Sequence, residues 1–275
     1  NFMVLLSNEQ KVKLQKLYQE KKFLELEFEI ESISDFKSRS SFLSKLLGVA
    51  KLKKKSKTEK DWTSAKELFL DAYNKDRNDI DALCNYANVS IKTRDYDDAL
   101  KKLIEKKNLG YNFKINEVLA RLYSFESKID KAINLYNEIE KNNDLTQETA
   151  SYFLASMNYL SNFSQEKYLY LCKKINDNFK IPQEELDKLI EFKLEKDFKI
   201  GFISPDLKEH SIFYFLLTVI EELKKDSIKV YAFNIGNIEK TDKISLSIKN
   251  QCHQWIDLQN LSDLDSANEI RKNNI

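Results

Sequence analysis

Three alanines constrain this chain more than any other feature. Ala65, Ala99 and Ala132 stand 34 and 33 residues apart, each early in a segment of one pattern: D-W-T-S-A-K-E-L-F-L, D-Y-D-D-A-L-K-K-L and K-I-D-K-A-I-N-L-Y. A period of that length marks stacked supersecondary units, each too small to bury its own apolar face. The small residue lets a partner helix approach closely, and Phe69 and Tyr96 would fill the groove beside it. Upstream of two of these alanines, Tyr86-Ala87 and Leu119-Ala120 supply the matching large-small pair on the preceding helix. Weaker units flank the clear ones. Leu14 to Ile30 reads as a degenerate opening pair continued by Phe42 to Leu52. Ala150 to Ile175 offers Leu154-Ala155 followed by Tyr168, Leu171 and Cys172. Residues 1–180 are therefore expected to form antiparallel helix pairs, with Tyr86, Tyr96, Tyr123 and Tyr136 as packing groups between helices.

Over residues 60–140 these segments resemble the tetratricopeptide family, with Ala87 and Ala120 where that family often has glycine. The resemblance implies an α-α superhelix whose concave surface holds a protein or extended peptide. Composition agrees with a helical protein, since 4 Gly and 2 Pro are too few for a turn-rich all-β chain. Lys+Arg 45 against Asp+Glu 44 leaves a net charge of +1. That balance argues against nucleic acid or an anionic membrane as partner. The basic run Lys51 to Lys60 reads as a solvated helix end. Cys84, Cys172 and Cys252 are odd in number and form no C-x-x-C, so neither a disulfide framework nor a zinc site is indicated and a reducing cytoplasm fits. Phe2 to Leu6 is too short for a signal-peptide core, and no stretch has the length of a membrane span.

Beyond residue 180 the pattern changes. A linker helix is expected over 181–197, with Pro182 in its first turn and an apolar face of Leu186, Leu189, Ile190, Phe192 and Leu194. From 198 to 275 strands and helices alternate. A buried strand Lys199–Ser204 is followed by a helix Ser211–Lys224, with Ile212, Phe213, Leu216, Leu217, Ile220 and Leu223 inward. A strand Ser227–Ile235, a helix Lys243–Asn250, a strand His253–Leu258 and a helix Asp265–Asn273 complete the series. Strand, helix and strand in this order form a parallel crossover unit, so the fold class is α followed by a partial Rossmann-like α/β domain. Ligands of open α/β sheets bind outside the carboxyl ends of the strands. Ser204, Asp206 and His210 stand there. His210 could take a proton from an acceptor hydroxyl or orient a phosphate. A carboxylate just before a helix complements its N-terminus, so Asp206 reads as the cap, and Ser204 reads as a turn residue. His253 reads as a partly buried histidine at a strand edge. No Gly-rich phosphate loop and no carboxylate pair with metal spacing occurs, so no metal is expected.

The stretch F-K-I-G-F-I-S-P-D-L-K-E-H resembles the opening of the catalytic region of the O-linked N-acetylglucosamine transferase / SPINDLY family, where a V-G-Y-V-S-x-D strand precedes F-x-x-H and a helix. Gly201, Ser204, Asp206 and His210 are the matched residues, and C-H-Q-W-I-D-L resembles a later N-H-F-I-D-L segment. The closing S-A-N-E-I-R-K-N-N-I resembles a family helix, with Asn268 where an acid is common and Arg271 where some members carry histidine. The resemblance implies transfer of a sugar, N-acetylglucosamine, from a UDP-sugar to Ser or Thr of a protein held by the repeats. It places His210 in the active-site cleft, with Ser204 and Asp206 as weaker substrate-binding candidates. About 65 residues follow His210, too few for such a transferase. A fragment of an enzyme, inactive by itself and binding no cofactor, is therefore expected. The rival expectation is a tetratricopeptide scaffold with no chemistry.

Overall fold

The structure, a computed structural model, describes residues 6–35, 39–54, 58–178, 180–191, 198–236 and 242–275, with the backbone only at Phe213. The chain divides into two compact units, Asn1–Phe179 and Lys180–Ile275.

The first unit is a series of helices: α1 (Asn8–Gln19), α2 (Phe23–Ile33), α3 (Ser41–Lys53), α4 (Glu59–Lys75), α5 (Ile80–Lys92), α6 (Asp97–Lys107), α7 (Phe113–Phe125), α8 (Ile129–Lys141), α9 (Gln147–Met157) and α10 (Gln165–Asn178). Most of their starts are set by side-chain caps, while α2, α6 and α8 begin without one. Ser40, Asp79, Asn112 and Thr146 each accept a backbone N–H of the first turn, and Ser7 and Thr58 form full capping boxes with Gln10 and Asp61. Ala65, Ala99 and Ala132 are all fully buried in one core. Side chains one repeat apart bond to each other, as stacked units require. Lys45 Nζ lies 2.7 Å from Asp79, Lys114 Nζ 2.5 Å from Asp81, and the Arg121 guanidinium donates to Asn88 Oδ1 at 2.6 Å. The unit is a tetratricopeptide-like array.

Two details of its register differ from the sequence expectation. Segment 42–52 continues the opening pair, with Leu43, Leu47 and Ala50 in one core with Leu14, Leu26 and Ile30, but it also opens the next pair. It forms α3 and packs on α4, where a Cβ on Gly48 would come within 2.8 Å of the Phe69 ring. This glycine therefore occupies the close-approach position that Ala87 and Ala120 fill later in the array. In α9 Ala150, Phe153 and Met157 are buried and Leu154 packs against the same core, while Ala155 is exposed. Phe153 stacks on Tyr136 with centroids 5.4 Å apart, and that large pair sets the rotation of the helix. The basic run is also more engaged than a solvated helix end. Lys51 reaches Glu27 and Glu31, and Lys54 bridges Glu27 at 3.1 Å and Asp61 at 2.6 Å. Residues 55–57 of that run lie outside the described residues.

The second unit contains α11 (Gln183–Leu186), β1 (Lys199–Ser204), α12 (Ser211–Lys225), β2 (Lys229–Asn234), α13 (Lys243–Gln251), β3 (Gln254–Asp257) and α14 (Asp263–Lys272). The strands form one parallel sheet in the order β1-β2-β3. Alternate residues of β2 point to opposite faces. Val230 and Ala232 join Leu207, Ile220 and Ile248 beneath α12 and α13, while Tyr231 and Phe233 join Leu258, Ile270 and Ile275 on the α14 side. β1 is an edge strand rather than the buried strand expected, with Ile203 54% exposed. Among the described residues it pairs with β2 alone, and a Cβ on Gly201 would come within 2.8 Å of the Ile275 side chain. In α12, Leu216, Leu217 and Leu223 pack inward as expected, but Ile212 is exposed.

The linker helix is shorter than its pattern suggests. α11 spans 4 residues, Pro182 is its N-cap, and Leu186 and Ile190 are exposed. With Leu186 and Ile190 exposed, a single turn has little to offset the cost of nucleation. Phe192 and Leu194 lie outside the described residues. What holds the segment is polar. Asn268 Oδ1 accepts the Ile190 N–H at 2.8 Å, and Arg271 donates to the Ile190 carbonyl at 2.8 Å.

Candidate functional site

The carboxyl edge of the sheet is built from strand ends and the loop after β1. Ser204 ends β1, and its hydroxyl accepts the Asp206 N–H at 3.0 Å, which closes the turn. Asp206 does not cap α12, contrary to expectation. Its carboxylate lies 4.0 Å from Lys208 Nζ, and the N-cap is His210, whose Nδ1 accepts the Ile212 N–H at 3.3 Å. Four residues separate Asp206 from the helix, so its carboxylate stands too far back in the turn to cap it.

That bond restricts the histidine chemically. A neutral imidazole whose Nδ1 accepts carries its proton on Nε2, so this exposed ring presents a donor. The loop itself is pinned from below. Asp242 caps α13 through Ser245 N–H at 2.7 Å and accepts the Glu209 N–H at 2.6 Å. Burial would raise the Asp242 pKa, but the backbone N–H bonds from Ser245 and Glu209 outweigh it and hold the carboxyl below its ordinary value. Gly236 is needed here, because a Cβ would fall 2.1 Å from the Pro205 carbonyl oxygen.

Two residues of this edge escaped the sequence reading. Asn234 and Asp257 end β2 and β3 and bond to each other at 2.9 Å, and the Trp255 indole also donates to Asp257 at 2.8 Å. The signal was present: each is the polar last residue of an apolar strand. His253 stands outside this cluster. It is exposed, its N–H bonds to the Val230 carbonyl, and its ring lies 5.2 Å from that of Tyr231.

Two of the helical unit's cavities lie between the first helices of successive pairs. One, of 690 Å³, lies between α1, α3 and α5 and is walled by Tyr18, Phe42, Leu46 and Val49. The other, of 840 Å³, lies between α5, α7 and α9 and takes in Asn88, Arg121, Phe125, Tyr136, Tyr152 and Tyr159. α5 serves both, with Asn85 on one and Asn88 on the other. The tyrosines expected to pack do so: Tyr86 is buried with its hydroxyl on Asp98 at 2.9 Å, and Tyr96 meets Phe125 edge-on. The thiols of Cys84 and Cys252 are raised by burial to about 12 and about 11, which leaves them unreactive thiols near neutral pH. Among the described residues no His, Cys, Asp or Glu cluster could hold a metal, and no helix is long and apolar enough to cross a membrane.

No protein-family model and no curated protein matches the chain. Among solved structures, a mutant O-GlcNAc transferase from Thermobaculum terrenum aligns over 98% of this chain at 14% identity with a TM-score of 0.53. MamA from MSR-1 aligns over 61% of this chain and 93% of its own at 16% identity with a TM-score of 0.48, and MamA from AMB-1 over 62% and 96% at 15% with 0.47. The chain spans 46% of the transferase structure, and the likeness at this identity is one of fold.

Proposed function

We propose that this chain is the acceptor-binding and opening catalytic part of a protein O-glycosyltransferase. The repeats hold an extended segment of a partner protein, and the sheet edge helps transfer a sugar, N-acetylglucosamine, from a UDP-sugar to a Ser or Thr hydroxyl. The observation that carries the reading is continuity. One known transferase structure aligns along 98% of the chain, across both the helical array and the parallel α/β unit, and the family's strand-turn-histidine motif falls on that unit's carboxyl edge. The α/β unit is on this reading part of a Rossmann-like lobe. A second lobe supplies the groups that bind the diphosphate. His210, through its Nε2–H, then orients an oxygen of the donor or acceptor, with Ser204 and Asp206 shaping the turn that presents it. A cytoplasmic setting fits the three free thiols.

The test is transfer by the natural full-length protein. Radiolabelled UDP-N-acetylglucosamine with cell proteins as acceptors should label Ser or Thr. If no labelled product forms with any UDP-sugar while the repeats still bind partner peptides, the chain is a scaffold only.

A further inference from the structure

We propose that Asp242, with Ser245 three residues on, is the positioning residue for His210: the first turn of α13, not the strand before the histidine, fixes where the imidazole stands. The inference rests on the reading of the sheet's carboxyl edge as part of a transfer site and adds what places its histidine. The loop needs outside support. Residues 205–209 make no backbone–backbone hydrogen bond among the described residues, and β1, which leads into them, is an edge strand. A segment without a ladder of its own opens readily unless side chains hold its polar groups.

Two bonds from α13 supply that support. The Ser245 hydroxyl donates to the Leu207 carbonyl at 2.8 Å, and Asp242 Oδ2 accepts the Glu209 N–H at 2.6 Å. They reach alternate residues of the loop, and the second ends on the residue directly before His210. Leu207 and Ser245 are both buried, so the first bond is shielded from water. The Leu207 side chain also shares a core with Ile248 of α13. The chemistry at position 242 demands a carboxylate. Oδ1 accepts the Ser245 N–H at 2.7 Å while Oδ2 accepts that of Glu209, and such charge-assisted bonds are the strong ones. Asparagine caps helices as well as aspartate does, but it has one acceptor oxygen, and its Nδ2 would meet the Glu209 N–H donor to donor. Capping α13 therefore does not require the acid; holding the loop does. From Glu209 the path to the ring is short. His210 Nδ1 accepts the Ile212 N–H at 3.3 Å, a length at which a small shift of residue 209 breaks the bond and frees the Nε2–H to turn.

His210 and His253 are the two histidines of the 275-residue chain, so imidazole ¹⁵N NMR reads each ring separately. The native chain should show His210 as the Nε2–H tautomer. Asp242→Asn should populate both tautomers of His210, leave His253 unmoved and speed amide exchange at Glu209 about tenfold. Ser245→Ala, which keeps the N–H that Asp242 caps, should act in the same direction more weakly. Ser262→Ala, which removes the α14 cap without touching the loop, should move neither signal. In the natural full-length protein Asp242→Asn should lower turnover by about tenfold to a hundredfold at an unchanged denaturation midpoint, and Ser262→Ala should leave turnover as it was. An unmoved His210 ring with unchanged Glu209 exchange in both α13 variants would overturn the inference, and so would full turnover once the ring is released. A responding ring in a native protein that transfers no sugar would leave the placement of His210 by Asp242 standing and overturn the proposed function instead.

Discussion

His210 commits one ring nitrogen to the Ile212 amide, so the residue proposed for chemistry also starts α12. His210→Ala should therefore lower stability by roughly 0.5–2 kcal/mol, the usual effect of removing a cap. His210→Asn, which can cap, should not, and urea denaturation of the two variants decides it. Asp61 is a second residue with a measurable signature. Burial would raise its pKa, but Lys54 at 2.6 Å and the Thr58 amide and hydroxyl at 2.8 Å lower it to about 2. A depressed carboxyl stabilises the fold fully above its unfolded pKa near 3.8 and loses that contribution as pH falls through about 2. The gap between the native protein and Asp61→Asn should thus shrink from about 2 kcal/mol at neutral pH toward zero near pH 1. An unchanged gap across that window would show that Lys54 does not hold Asp61. At this scale the sequence told which residues were present but not which side chain would cap. Ser204, Asp206 and His210 all precede the helix with capping chemistry, and only the backbone path chooses among them.

The helices of the array were legible because one spacing repeats and small residues recur within it. Ala99→Leu should overpack its contact by about 1–3 kcal/mol, and an unchanged denaturation midpoint would break the assigned register. The turns carry a further expectation. Arg94 and Ser127, one repeat apart, both hold φ near the left-handed region, at 54° and 59°. Ser127→Gly removes a strain of roughly 1–2 kcal/mol and adds roughly 0.5–1 kcal/mol of chain entropy. A small net gain in thermal midpoint should follow. Elements of the second unit were harder to place for a physical reason. A continuous apolar run such as Ile200 to Ile203 looks the same in a central strand and an edge strand, because the sequence does not state how many neighbours will pair with it. The linker failed similarly. A helical pattern of apolar residues requires a surface to bury it, and here Asn268 and Arg271 hold the backbone of residues 188–190 instead.

At the scale of the whole molecule, the proposed function joins a partner-holding array to one edge of a transferase site. Calorimetry of this chain with UDP should show affinity no tighter than about 1 mM, near 4 kcal/mol, because the groups proposed to hold the diphosphate belong to the second lobe. Micromolar affinity would place them on this chain. The most direct measurement is steady-state transfer by full-length His210→Asn. The substitution keeps a cap for α12 while removing the imidazole Nε2–H. The account predicts an unchanged denaturation midpoint with turnover reduced by about 10² to 10⁴. Full turnover with a normal pH profile would contradict it, leaving His210 as a helix cap and the resemblance as one of fold.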